Sequence, residues 1–144
     1  MNVKELKNEL DRLNVDIKKI LTATGYDLYA ELSNVSFDSS DPDQIMLFEE
    51  FNGIVNRLDA VSVELSYLSR PFSLEGIISL NDNGRYELNG YELTSGQGIE
   101  VLIFDPYHGA ETWYAGSIEH NGTNFYLVGR PWVVLNGAKA RIRR

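Results

Sequence analysis

The chain has 144 residues and a formal net charge of −8, with 43% hydrophobic residues and no cysteine. That length suits one ordinary domain or two small units, and the apolar content is enough to bury a core. The absence of cysteine excludes disulfides, thiolate metal sites and cysteine nucleophiles, and the acidic balance argues against a general nucleic-acid binder.

The first segment repeats its apolar residues at helical spacing. Val3, Leu6, Leu10, Leu13, Ile17 and Ile20 are separated alternately by three and four positions, with charged residues between them. This predicts an amphipathic helix that ends at or near Gly25. The start, Met1 to Leu6, has scattered charges and none of the apolar core of a secretion signal. No run approaches the length that spans a bilayer, so a cytoplasmic location without membrane contact is expected.

Residues 26–40 read as a short helical turn followed by a loop. Asp41-Pro42-Asp43-Gln44 then marks a second helix start: Asp41 as cap, Pro42 at the first position, Asp43 against the positive dipole end. Leu47, Phe51, Ile54, Leu58, Val61, Leu65 and Leu68 carry the stripe to Arg70-Pro71. Two such helices are expected to form an antiparallel hairpin; a coiled-coil seam between two chains is the other reading of the same stripes.

Beyond Pro71 the period changes from 3.6 to 2. Phe72–Leu80 reads as a strand, followed by an Asn81–Gly84 turn, Arg85–Leu88, an Asn89-Gly90 hairpin turn and Tyr91–Thr94. The run Ile99–Phe104, then Thr112–Glu119, the Asn121-Gly122 turn, Phe125–Val128 and Trp132–Leu135 complete the strands. The expected fold is α+β: an acidic helical hairpin over residues 1–70 packed on or joined to a small antiparallel β-barrel over 71–144. The barrel is SH3-like by preference, with an OB-like barrel second.

Charge divides unevenly. Residues 1–68 hold 6 basic and 13 acidic residues, net −7, and the remainder is close to neutral. Asp27, Glu31, Asp38, Asp41, Asp43, Glu49 and Glu50 form a run of acids without a base, a candidate acidic face for a basic protein surface. Lys139, Arg141, Arg143 and Arg144 make the C-terminus basic and read as a solvated tail, with nucleic-acid contact as the sharper alternative. Trp113, Tyr114, Tyr126 and Trp132 are the aromatic candidates for partner binding, since one face of each barrel strand is left outside the core.

Catalytic patterns are weak. His108 beside Asp105 reads as a turn residue rather than a general base, and His120 as a rim residue. Gly96-Gln97-Gly98 lacks the rest of a dinucleotide fingerprint, and Asp41-Pro42-Asp43 lacks the rest of a calcium loop. No enzyme, metal or cofactor is expected.

Several segments resemble an uncharacterised domain family of small proteins carried by conjugative elements, plasmids and phages of Firmicutes. They are Leu74–Ile78, Gly84–Leu88, the Leu93–Gly96 turn, Thr112–Glu119, Phe125–Gly129 and Ala138–Arg144. The resemblance covers about the C-terminal half and carries no catalytic residue. It implies a counter-defence setting, in which a small acidic protein binds and inhibits a CRISPR effector nuclease or a restriction enzyme. A nucleic-acid-binding or structural accessory module of a conjugative element is the alternative. The chain is expected to act as a monomer or a homodimer.

Overall fold

The computed structural model describes residues 1–144, which divide into two compact units, Met1–Ser69 and Arg70–Arg144. In the first, α1 runs from Val3 to Thr24. A capping box starts it: Asn2 Oδ1 accepts the Glu5 N–H at 3.0 Å, and the Glu5 carboxylate accepts the Asn2 N–H at 2.8 Å. Gly25 stops it in the left-handed region at φ 64°, where its N–H donates to Thr22 O. The second helix, α2, spans Pro42–Leu68, with the Asp41 side chain accepting the Asp43 N–H at 2.9 Å.

The helices run antiparallel, as three cross-contacts show. Asp11 meets Ser69, Asn14 Nδ2 donates to Ser66 Oγ at 3.3 Å, and Tyr26 Oη donates to Asn56 at 2.6 Å. Ile17, Leu32, Val55 and Leu65 are the buried apolar side chains of this unit, with Asn14 and Ser62 as polar members. The helical turn expected after Gly25 is instead a bridged loop, with Tyr26 and Leu32 paired. Asp27 accounts for the difference. Its carboxylate takes the N–H groups of Tyr29 and Glu31, which a helix would need, and Ala30 sits at φ 57°.

The second unit is a seven-stranded antiparallel sheet curled into a half-barrel, so the chain as a whole is α+β. Its strands are β1 (Phe72–Leu80), β2 (Tyr86–Leu88), β3 (Tyr91–Glu92), β4 (Gly98–Asp105), β5 (Ala110–His120), β6 (Phe125–Leu127) and β7 (Lys139–Arg143). Their order in space is β3-β2-β1-β7-β4-β5-β6. The β2–β3 link is the Asn89-Gly90 turn, with both residues at positive φ (48° and 78°), the geometry a two-residue hairpin requires. Alternate residues fill the core: Ile78, Leu88, Ile99, Val101, Ile118, Leu127, Ala140 and Ile142, with Leu93 and Leu135 from the connections.

Two expectations are corrected. Trp132–Leu135 is not a strand but part of a turn-rich connection, held by Val133 N–H to Arg130 O at 3.1 Å and Ala138 N–H to Leu135 O at 3.0 Å. Pro131 and Gly137 bracket it and interrupt ladder pairing. The C-terminal segment is not a solvated tail. Lys139–Arg143 is the strand between β1 and β4, in the middle of the sheet.

Candidate protein-binding surface

The alternation that sends Ala140 and Ile142 inward puts Lys139, Arg141 and Arg143 on the opposite, outer face. Glu100 of β4 lies directly across from Arg141 and is only 4% exposed. Arg141 Nε donates to Glu100 Oε1 at 2.9 Å, and Arg143 Nε donates to Oε2. The Arg141 guanidinium lies 4.0 Å from the ring centres of both Phe72 and Trp113. A carboxylate this buried needs counter-charge, and two arginines supply it. Lys139 pairs with Glu75 at 3.6 Å, and the Arg144 guanidinium lies 4.7 Å from the Tyr91 ring centre. Lys139, Arg141 and Arg143 are therefore built into the sheet, two of them bound to one buried acid, while Arg144 is exposed just past its end.

The aromatic candidates separate. Trp113 is half-buried in the outer-face stack with Arg141, and Tyr126 is half-buried on β6 opposite Glu119. Tyr114, paired with Val101, faces the core side, and the Arg130 guanidinium lies 4.1 Å from its ring centre. Only Trp132 stands well into solvent, at 71% exposure, with Phe104 at 63% and Val134 at 76%. These three border an open hollow of about 580 Å³ that Leu102, Arg130 and Asn136 also line. Arg130 Nε is buried there without a hydrogen-bond partner.

Exposed apolar side chains gathered around one hollow are often functional. Trp and Arg are the residue types that most often dominate protein interfaces. Phe104, Arg130 and Val134 were not singled out from the sequence. For Arg130 and Val134 the available signal was Pro131, immediately before the expected strand Trp132–Leu135, which disfavours ladder pairing there.

The seven acids are distributed along the first unit. Asp27 caps the loop after α1. Asp38, Asp41 and Asp43 gather at the start of α2, where Asp38 accepts the Ser40 N–H and Oγ–H, and Asp41 caps the helix. Glu31 is exposed in the loop, while Glu49 and Glu50 are both exposed about two turns into α2 and point about 100° apart. Hydrogen bonds from Ser40 hold the Asp38 carboxyl below the ordinary carboxylate range.

His108 Nδ1 donates to Asp105 Oδ2 at 2.7 Å within one turn, and Asp105 also accepts the Tyr107 N–H. The His108 hydrogen bond, then the Tyr107 N–H, keep the Asp105 carboxyl below its usual range. Tyr26 is pushed the other way, its phenol raised by desolvation and by Asp59 and Asp27.

Residues 76–142 match a family described as a domain of unknown function, DUF5348. The matched segment contains Glu100, Arg130 and Trp132 and lies wholly within the sheet unit. The chain has no match among curated proteins or solved structures. No helix is long and apolar enough to cross a membrane.

Proposed function

We propose that the protein is a non-enzymatic binding protein that docks on a nucleic-acid-processing enzyme and inhibits it. The solvent-facing trio of Trp132, Phe104 and Val134 beside Arg130 carries this reading. It offers a desolvatable aromatic anchor with an adjacent cation, the composition of an interface centre. The acidic first unit adds a long-range attraction toward a basic surface such as a DNA-binding groove, which speeds encounter more than it tightens the complex. The resemblance to small proteins of conjugative elements and phages favours a counter-defence role in a bacterial cytoplasm. A type II CRISPR effector nuclease is the leading target and a restriction enzyme the next.

The test is a DNA-cleavage assay with purified type II effectors and restriction endonucleases. The intact protein slows cleavage by at least one of them at modest molar excess, and Trp132→Ala weakens that inhibition about 30-fold or more, a loss of about 2 kcal/mol. Full cleavage by every enzyme at large excess overturns the proposal. Equal inhibition by Trp132→Ala removes the hollow from it.

A further inference from the structure

The hairpin buries few apolar side chains for its length; Val15, Met46 and Val63 stand exposed on other sides, but six more share one flank. Leu13 and Ile20 each precede by one position a more buried residue, Asn14 and Leu21, of which Asn14 reaches Ser66 of α2. On α2, Leu47, Phe51, Ile54 and Val61 each precede by one position the more buried Phe48, Asn52, Val55 and Ser62. One position is a rotation of about 100°, so each stripe stands on the same rotational flank of its own helix. Because the helices are antiparallel, equal rotations open on the same side of the hairpin. The six side chains are 40–52% exposed and form one apolar face along it.

We propose that this face is the seat of a second copy of the same chain, and that two hairpins join into a four-helix bundle. The area supports this occupant: at 40–52% exposure the six leave on the order of 500 Å² open together. That matches the apolar share of a standard interface, about 65% of about 800 Å² per partner. A second copy presents the same apolar stripe, so a two-fold axis sets like face against like face. Two hairpins of net −7 repel one another, whereas apolar burial is not screened, so added salt strengthens the pairing.

Sedimentation of the full chain decides the matter, together with thiol labelling of single-cysteine variants, which the cysteine-free sequence makes unambiguous. The chain sediments at twice 16.3 kDa at tens of micromolar, and the dimer fraction rises from low to moderate salt. Leu13→Cys and Ile54→Cys, mild changes in size, react about tenfold more slowly with a maleimide at high than at low protein concentration. Glu49→Cys reacts equally at both. Val61→Asp weakens association about 100-fold or more, since a carboxylate would be buried in the seam. A monomer at every concentration, or a dimer whose Leu13→Cys labelling ignores concentration, overturns the proposal, whether or not Val61→Asp folds.

Discussion

Neutralising Glu100 is the sharpest perturbation of the sheet unit. Glu100→Gln keeps the shape but leaves Arg141 and Arg143 side by side, their side chains only 17% and 14% exposed, without the carboxylate they share. Removing one partner of a buried ion pair costs about 3–5 kcal/mol. The arginines keep some solvent and Arg141 keeps its stacking on Phe72 and Trp113, so the lower end, about 3 kcal/mol, applies here. For a unit of about 75 residues each kcal/mol moves the melting midpoint by about 4–8 °C, so a fall of roughly 12–24 °C is expected. Thermal unfolding followed by fluorescence in a Trp132→Phe background reads this unit through Trp113, which leans on Arg141. Replacing all three charges with apolar residues of similar volume recovers most of the loss. A fall of less than about 3 °C in Glu100→Gln would refute the argument that this carboxylate is held in the sheet by charge pairing.

Three further outcomes follow from local geometry. Gly90→Val destabilises the sheet unit by about 1–2 kcal/mol, because a β-branched residue is forced to φ 78°; denaturant melts of the variant check it, and an unchanged midpoint contradicts the turn assignment. Trp132→Ala leaves the same melts within about 0.5 kcal/mol of the parent, since the side chain stands in solvent, and a larger loss would mean that Trp132 supports the fold. Asp105, with its native pKa lowered, adds stability above the ordinary carboxylate pKa that is lost as pH falls through the lower native value. A carboxyl NMR titration finds its midpoint below that of an ordinary aspartate, and His108→Ala raises it; an unmoved midpoint in that variant assigns the shift elsewhere.

Much of this architecture is written in periodicity. The alternate three-and-four spacing placed α1 and α2, and the period of two with Asn89-Gly90 placed β1 to β3 at nearly their observed bounds. Local rules fail where distant residues decide. Lys139–Arg143 alternates as a strand should, but its charges suggested a tail. The acid that makes a central position tolerable, Glu100, is 41 residues away in the chain. The 26–40 segment misled because a single side chain, Asp27, diverts two backbone donors from a helix. Trp132 was a named candidate, but its standing in solvent beside Phe104 and Val134 was not legible, for a related reason. Bulky apolar residues in sequence signal burial, and only the bracketing Pro131 and Gly137 turn Trp132 and Val134 outward.

The claim that this is a protein-docking surface, and not a nucleic-acid handle, is tested most directly by the emission of Trp132 in a Trp113→Phe background. On titration with type II effector nucleases and restriction endonucleases, a blue-shifted, saturable change is expected with at least one of them. Short single-stranded and duplex DNA at low salt should leave the spectrum unchanged. A response to DNA alone, with none to any of the proteins, would contradict it.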